Sequence, residues 1–273
     1  MMNNRKQSGF TLVEIAIVLV IIGLLLGGIL KGQQLINSAR VRNMADQNSG
    51  VQAAYYGFID RYRQVPGDML PAAACQSITA NIANCGAAPY AGATIGGNQN
   101  GRIDSWVEAG AVWGHLSSAG FLNGSFTGNT PAFTDYELGV PGGVVPGNAF
   151  TQPIFLGYSD DYDSGGAATV TVRLMYTFGA GSSASLLREL DVKLDDGQPG
   201  TGVVRATVAN GATRPGEVVL GGADLGGTSV TAGQEVILWN SGFGATCVTG
   251  PNAAGATWNV DSDNVRCNAA FIY

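Results

Sequence analysis

The hydrophobic and polar positions divide the chain into a strongly apolar start and a mixed remainder. Residues 10–30 are apolar or small except for one threonine and one carboxylate, Glu14. At 1.5 Å per residue, a helix of this length covers about 32 Å, which matches a bilayer core of about 30 Å. The run therefore predicts a membrane-spanning helix, and the charge inside it requires an explanation.

A cleavable secretory signal is the main alternative for this segment. Arg5 and Lys6 would supply its basic start, but the apolar part of a signal is about 7 to 15 residues long and ends at a small-residue cleavage site. The run here is longer and has no such end. The two basic residues instead favour a cytoplasmic N-terminus, although Lys31, Arg40 and Arg42 beyond the run weaken this charge bias.

The helical pattern continues beyond the apolar run. Residues 31–65 contain no proline, and an apolar stripe recurs there at steps of four, three and four residues, formed by Val51, Tyr55, Phe58 and Tyr62. Pro66 and Gly67 end the pattern. The sequence therefore predicts one continuous helix from about residue 10 to 64, whose second half packs the stripe into the core of a globular head.

The rest of the chain predicts a head in which short strands and helices mix. Alternating stretches separated by glycine-rich turns predict strands at 169–178, 202–209 and 235–242. Approximate helical spacing predicts helices at 105–122 and 183–197. The expected fold class is α+β: a long N-terminal helix followed by a glycine-rich, mainly antiparallel β domain.

The composition supports a turn-rich head and argues against nucleic acid as a partner. Glycine provides 41 of 273 residues, roughly twice the usual share, and 12% of residues are charged against about a quarter in typical domains. The net charge is −6, and the sequence has no extended basic patch that would bind phosphates.

Two features superficially copy enzyme motifs. The sequence GAGSSA at 179–184 matches the Gly-x-Gly-x-x-Ala turn of dinucleotide sites, but the neighbouring predicted strands lack the crossover helices that such sites need. A tight turn from a strand to a helix is favoured. His115 is the only histidine, and no G-x-S-x-G motif or second metal-type ligand accompanies it. We expect His115 to be a packing or helix-surface residue and the protein not to be an enzyme.

Four cysteines indicate disulfides rather than a zinc site. Their spacings fit no zinc motif, and their even number suits two bridges in an exported protein. Three pairings are open, and the sequence excludes none of them. Pairing Cys75 with Cys85 and Cys247 with Cys267 is favoured because each pair lies in one short loop; buried free thiols are the alternative.

One polar loop has features of a calcium site. In GNQNGRIDSWVE, residues 97–108, oxygen-bearing side chains alternate before a glycine, and an apolar residue follows two positions later. The spacing departs from an EF-hand because the final glutamate lies one residue late. The candidate calcium ligands are Asn98, Asn100, Asp104 and Glu108. Solvated turns are the alternative, and further acidic turns lie at 159–165, 195–196 and 261–263.

The start of the chain resembles a known family. KQSGFTLVEIAIVLVIIGLLLGG, residues 6–28, is similar to the processing and assembly segment of type IV pilins and of the pseudopilins of type II secretion. The resemblance implies that a prepilin peptidase and methyltransferase removes the leader, 1–9, after Gly9 and methylates the new amine of Phe10. It also implies an assembly role for Glu14, the fifth residue of the mature chain. The match covers only about the first 55 residues.

The resemblance suggests why a carboxylate is tolerated in the apolar run. An isolated carboxylate in hydrocarbon costs about 2.5 to 3.5 kcal/mol on insertion scales, so such groups normally have a partner. Cleavage gives Phe10 a free amine, which is positively charged at neutral pH. We expect the Phe10 amine of the same chain, or of a neighbouring subunit, to neutralise Glu14. A glutamate that snorkels to the interface or is protonated is the alternative.

These observations predict a non-enzymatic filament subunit of a type IV pilus or a secretion pseudopilus. The expected parts are a leader, a membrane and assembly half-helix, an amphipathic half-helix and a head, at residues 1–9, 10–30, 31–65 and 66–273. The expected location is the bacterial inner membrane, with the head periplasmic, and then the filament. Its expected partners are copies of itself and other pilin-like subunits, and calcium is the one candidate cofactor.

A low-copy minor pilin or tip adhesin, which would bind a ligand through its head, is the alternative function. For this role as for the first, the resemblance implies a disulfide-bounded surface near the C-terminus that takes part in contacts. Copy number in the filament separates the two functions, because a shaft subunit is abundant and a tip subunit is scarce.

Overall fold

The computed structural model describes residues 12–79, 82, 97–126, 145–167, 170–179, 181–208, 247–262 and 267–273. The chain divides into two units, residues 1–40 and 41–273. The first helix, α1, covers Leu12–Tyr62 and contributes residues to both units. This agrees with the single continuous helix predicted from 10 to 64. The chain leaves the helix at Arg63, whose φ of 56° is left-handed.

Unit 1 is helical throughout its described part, residues 12–40. Sixteen large apolar side chains between Leu12 and Ile36 are exposed. Among the described helices, α1 alone is long and apolar enough to cross a membrane, judged by length and composition, and the apolar window that meets this test contains no buried residue.

In unit 2, α1 packs one face into the hydrophobic core. The buried positions on this face recur at alternating steps of three and four residues: Val41, Met44, Asn48, Val51, Tyr55 and Phe58. The predicted aromatic stripe is therefore confirmed, with Tyr62 half-buried at its end. Burial of each large apolar side chain contributes about 1.5–3 kcal/mol, so this face anchors the second half of the helix. Asn48, the polar member, accepts a hydrogen bond from the Tyr273 hydroxyl at 3.1 Å.

The described part of unit 2 contains three shorter helices. They are α2, α3 and α4, which cover Pro71–Ser77, Trp106–Ser118 and Ala184–Leu194. The last two confirm the helices predicted at 105–122 and 183–197, with earlier ends. The sequence analysis does not predict α2, which has only seven residues, although a proline in its first turn is a typical start signal.

Six strands lie among the described residues of unit 2. In chain order, β1 to β6 cover Phe155–Ser159, Arg173–Thr177, Val204–Ala206, Val248–Thr249, Thr257–Trp258 and Ala269–Ile272. Four make a sheet in the order β1-β2-β6-β3, the other two form a pair, and every pairing is antiparallel. The fold is α+β, as predicted. β2 and β3 lie inside the first two predicted strands, and the third, 235–242, lies outside the described residues.

Three of the four cysteines are described, and all three are disulfide-bonded. Cys247 and Cys267 are bonded, with their Cα atoms 5.7 Å apart, which is the predicted pairing. The Cys267 amide also donates to the Ser182 carbonyl at 2.9 Å, so the bridge is tied to the segment just before α4. Cys75 is disulfide-bonded as well, while Cys85, its predicted partner, lies outside the described residues.

A tight glycine turn joins β2 to α4. Gly179 and Gly181 have left-handed φ values of 83° and 88°. A Cβ atom on Gly179 would lie 2.8 Å from the Pro153 carbonyl oxygen. Glycine alone satisfies both constraints without strain. Since β2 pairs antiparallel with both described neighbours, the turn lacks the parallel strands of a dinucleotide site and is the structural turn that the sequence favours.

Candidate functional site

The first candidate site is the exposed apolar segment of α1. Glu14 lies in the first described turn of this helix, near the end where backbone N–H groups give a positive partial charge. Leu12 and Val13 before it are 91% and 66% exposed, and the apolar side chains after it are also exposed. Gly9 and Phe10, the predicted cleavage and methylation residues, lie outside the described residues.

The surface of this helical segment is apolar and exposed, as in helices that contact lipid or another protein. Contiguous apolar patches above a few hundred Å² are rare on soluble monomers and mark contacts with lipid or protein. Gly23, Gly27 and Gly28 add to this surface, because a Cβ atom placed on any of them meets nothing within 4 Å. The segment can therefore insert in a bilayer and can accept close approach of another helix.

The second candidate site is the polar loop that precedes α3. Three of the four predicted calcium ligands converge there. The side-chain amide of Asn100 donates to Asp104 Oδ2 at 2.5 Å, and that of Asn98 lies 3.5 Å from Asp104 Oδ1. The amide oxygens of Asn98 and Asn100 accept from the backbone N–H groups of Asn100 and Arg102, both at 2.9 Å.

Glu108, the fourth predicted ligand, faces the backbone of this loop. Its Oε2 accepts from the N–H groups of Asp104 at 2.8 Å and Ser105 at 3.2 Å. The Ser105 hydroxyl accepts in return from the Glu108 N–H at 3.3 Å, which completes a capping box at the start of α3. Glu108 therefore fixes the helix start, a role that the Ser-x-x-Glu spacing signals in the sequence.

Asp68 also belongs to this candidate site, and the sequence analysis missed it. Its Oδ1 accepts from the N–H groups of Asn98 at 3.1 Å and Asn100 at 3.3 Å, and its Oδ2 accepts from that of Gly101 at 2.7 Å. Asp68 lies about 30 residues earlier, in the turn after α1, so only the tertiary fold brings it to the loop. The available signal was the Pro-Gly-Asp sequence, a typical turn in which the aspartate can bond to backbone N–H groups.

Two carboxylates of this site are removed from solvent. Glu108 is 0% exposed and Asp68 is 3% exposed. Both side chains accept from the same N–H group, that of Asn98. Burial raises the pKa of Glu108 to about 8, and burial also raises the pKa of Asp68, against the opposing effect of its backbone hydrogen bonds. No described lysine, arginine or histidine forms a salt bridge with either group.

His115 is a buried residue of α3 that bonds to the turn after α1, next to Asp68. It is 3% exposed, and its Nδ1 accepts from the Gly67 N–H at 2.9 Å. Burial lowers the pKa of His115 to about 4, so the ring is neutral near pH 7. The ring stacks on Phe58, with centroids 6.2 Å apart. His115 thus joins the turn after α1 to α3, which matches the packing role expected from the sequence.

The other acidic turns named in the sequence analysis lie apart from this loop in sequence, and carboxylates in two of them have partners of their own. Asp191, Asp195 and Asp196 bring carboxylate oxygens within 4.8 Å of one another at the end of α4. The Asp191 carboxylate accepts from the Trp258 indole at 2.8 Å, and burial raises its pKa to about 7. In the turn at 159–165, Asp163 is 0% exposed and accepts from the Gly165 N–H at 2.9 Å. The third turn, 261–263, lies partly outside the described residues.

Comparison with known proteins bears on the apolar segment. Residues 4–30 match the family described as the prokaryotic N-terminal methylation motif. No curated protein and no solved structure matches the chain. The matched residues contain Gly9, Phe10 and Glu14, and their described part, 12–30, is exposed throughout. The motif points to a structural protein that is processed by a prepilin peptidase. The chain thus carries, at residues 4–30, the prepilin signature of type IV pilins and pseudopilins.

Proposed function

We propose that this protein is a structural subunit of a type IV pilus-like or type II secretion pseudopilus filament. One observation carries the proposal. The methylation motif at 4–30 overlaps a helix segment whose large apolar side chains, from Leu12 to Leu30, are exposed. In the precursor these side chains contact lipid. In the filament the same side chains contact the helices of other subunits.

Processing precedes assembly in this proposal. The precursor sits in the inner membrane with its N-terminus cytoplasmic and its head periplasmic. A prepilin peptidase cuts after Gly9, and the new amine of Phe10 is methylated. Glu14 then has a positive partner four residues away, or on the neighbouring subunit, and this pairing neutralises the carboxylate inside an apolar environment. Pairing with the neighbour would set the axial register between subunits.

Intact mass measurement of the protein in sheared filaments tests this function. We expect a chain that begins at Phe10, carries one added methyl group and contains disulfides. We also expect the protein to sediment with filaments from cells that have the peptidase and not from cells that lack it. An uncleaved chain in the filament fraction, or a cleaved chain that never leaves the membrane fraction, would contradict the proposal.

A low-copy minor or tip subunit is the second candidate function. It is supported by the size of unit 2 and by an open pocket on its sheet, described below, neither of which a shaft contact requires. The amount of this chain relative to other pilin-like chains in the same sheared fraction separates the two candidates.

We further propose that the loop at 97–108 holds a calcium ion. The support is an oxygen-rich cluster in which Asp68, Asp104 and Glu108 meet without a cationic partner among the described residues. Calcium prefers carboxylate and carbonyl oxygens. Binding would require the Asn98 or Asn100 amide to turn its oxygen towards Asp104, and this oxygen would then give up the hydrogen bond that it accepts from the backbone of the loop.

A further inference from the structure

A pocket of about 390 Å³ opens on the four-stranded sheet of unit 2. It lies beside β6, where that strand runs between β2 and β3. Apolar groups of Val170, Val203 and Ile272 line part of it, and the hydroxyl-bearing residues Ser164 and Thr171 line another part. Its volume is within the usual range for small-molecule sites, about 300–1,000 Å³.

One guanidinium group in the pocket wall is held in place before any ligand arrives. Arg205 donates from Nε to the Gly202 carbonyl and from Nη1 to the Asp163 carbonyl, both at 3.0 Å. Its guanidinium carbon lies 5.3 Å from the centre of the Tyr162 ring. These contacts use two of the five N–H donors that an arginine has, so the others remain for a ligand. A donor group that is already fixed loses little conformational entropy on binding.

A second guanidinium group lines the same pocket. Arg173 stands at the exposed start of β2, and its Nε donates to the Thr171 hydroxyl at 3.2 Å. Among the described residues no carboxylate lies within salt-bridge distance of Arg173 or Arg205. The buried carboxylate of Asp163 interacts with Arg205 at longer range. Two guanidinium groups therefore line one pocket.

We propose that this pocket binds a sugar acid, whose carboxylate pairs with Arg205 and is attracted by Arg173. A carboxylate matches the planar fork of a guanidinium group, and the pair forms charge-assisted hydrogen bonds. The hydroxyl groups of a sugar match Ser164 and Thr171, and the apolar C–H face of its ring matches Val203 and Ile272. The site goes beyond a filament role, because no residue of α1 lines it.

Calorimetric titration of the full-length protein tests the chemistry of the ligand. The protein is kept in a polyoxyethylene detergent, because sugar-based detergents would compete for the site. D-glucuronate is the probe, and D-glucuronamide and D-glucose are its neutral counterparts. We expect saturable binding of D-glucuronate and at least about tenfold weaker binding of both neutral sugars, since a charge-assisted hydrogen bond is worth about 1.5–3 kcal/mol. Equal binding of D-glucuronamide, or no saturable binding of D-glucuronate, would overturn the proposal.

Variants test the location of the site. We expect Arg205→Gln and Arg173→Gln each to weaken D-glucuronate binding, with the larger loss, about tenfold or more, for Arg205→Gln. Arg205→Gln removes two hydrogen bonds and could disturb the fold. Arg173 is exposed, so Arg173→Gln remains informative in that case. Arg188→Gln is the matched control, because this exposed arginine on α4 does not line the pocket. Wild-type affinity in both pocket variants, or an equal loss in the control, would show that the site lies elsewhere.

The same titration distinguishes a free sugar acid from one carried by a glycan. A disaccharide that ends in glucuronate presents the same carboxylate with a second ring attached. If it binds at least as well as D-glucuronate, the pocket accepts a glycan end. If only the monosaccharide binds, the pocket accepts the free acid. Binding of neither compound contradicts the proposal.

Discussion

The two units of this chain place their apolar side chains in opposite environments. In unit 1, Leu12, Leu24 and Leu30 are 91%, 74% and 62% exposed. In unit 2, large side chains such as Trp113 and Phe155 are 0% exposed. One continuous helix, α1, contributes to both units, so helix formation does not by itself distinguish them. Unit 2 contains its own hydrophobic core, whereas unit 1 exposes an apolar surface of the kind that marks contacts with lipid or protein.

The acidic groups show the same contrast. In unit 2, Asp68 and Glu108 are buried, and backbone N–H groups of the same domain bond to them. In unit 1, Glu14 stands among exposed apolar side chains, and we propose that the Phe10 amine, which cleavage frees, pairs with it in the filament. Mutations in unit 1 should therefore affect processing and assembly, and mutations in unit 2 should affect the stability of the head.

The largest expected effect is the loss of processing in Gly9→Val. The prepilin motif implies a peptidase that brings this bond into a narrow site, where a β-branched side chain would clash. We expect the variant to remain at precursor mass, with the head folded normally. Gly32→Val is the matched control, because Gly32 lies beyond the motif and a Cβ atom there meets nothing. Recovery of a chain that begins at Phe10 from the Gly9 variant would contradict this prediction.

Glu14→Ala should separate membrane insertion from assembly. Removing the carboxylate makes the helix easier to place in lipid by about 2.5–3.5 kcal/mol, so insertion and cleavage should proceed. Without the partner of the Phe10 amine, we expect little of the variant in sheared filaments of cells that have no wild-type copy. Asp46→Ala, an exposed carboxylate farther along α1, is the control and should assemble normally. Equal assembly of both variants would remove the proposed role of Glu14.

Phe58→Ala should destabilise the head without affecting processing. Phe58 is 0% exposed and contacts the rings of Tyr62, His115 and Phe121. Truncation of a buried phenylalanine costs about 3–5 kcal/mol of the free energy of unfolding. Urea unfolding of the full-length protein in micelles measures this loss. Tyr56→Ala, at a side chain that is 52% exposed, should cost less than about 1 kcal/mol. Similar losses in the two variants would argue against the core position of Phe58.

Removal of the Cys247–Cys267 bridge should have a somewhat smaller effect. In the chain-entropy model, a loop of this size contributes about 3 kcal/mol by restricting the unfolded chain. We expect the double variant Cys247→Ser with Cys267→Ser to unfold at a lower urea concentration, by about that free energy, while cleavage after Gly9 continues. A double variant as stable as the wild type would show that packing alone holds the C-terminal region.

Calcium should have the smallest effect, and that effect should depend on pH. Because the pKa of Glu108 is raised to about 8, the metal-free head binds more protons than the unfolded chain, and its stability falls as pH rises from about 4.5 to 8. Calcium replaces the proton, so CaCl₂ should raise the melting temperature by about 2–6 °C at pH 8.5 and by less at pH 6.5. Asp104→Asn should remove the calcium effect, and Asp261→Asn should not. If CaCl₂ raised the melting temperature of Asp104→Asn by as much as that of the wild type, the proposed site would be excluded.

The helices and the prepilin segment could be predicted because their signals are local. The apolar run, the steps of three and four residues in α1 and the cleavage motif each depend on residues close in sequence. The same holds for the glycine turn after β2. β1 and β6 were missed for a physical reason: both are largely buried, so their side chains do not alternate between polar and apolar.

By itself the sequence determined the long helix and the apolar surface around Glu14, since both follow from composition and short spacing. It favoured the bridge between Cys247 and Cys267 but left the other pairings open, and the structure decided between them. Only the tertiary structure decided which distant residues meet. It brought Asp68 onto the loop at 98–101 and placed the carboxylates of Asp68 and Glu108 on the same backbone N–H group, that of Asn98. It also placed Arg173 and Arg205 around one pocket. A pattern along the chain carries no record of contacts between residues 30 or more positions apart, because folding alone brings them together.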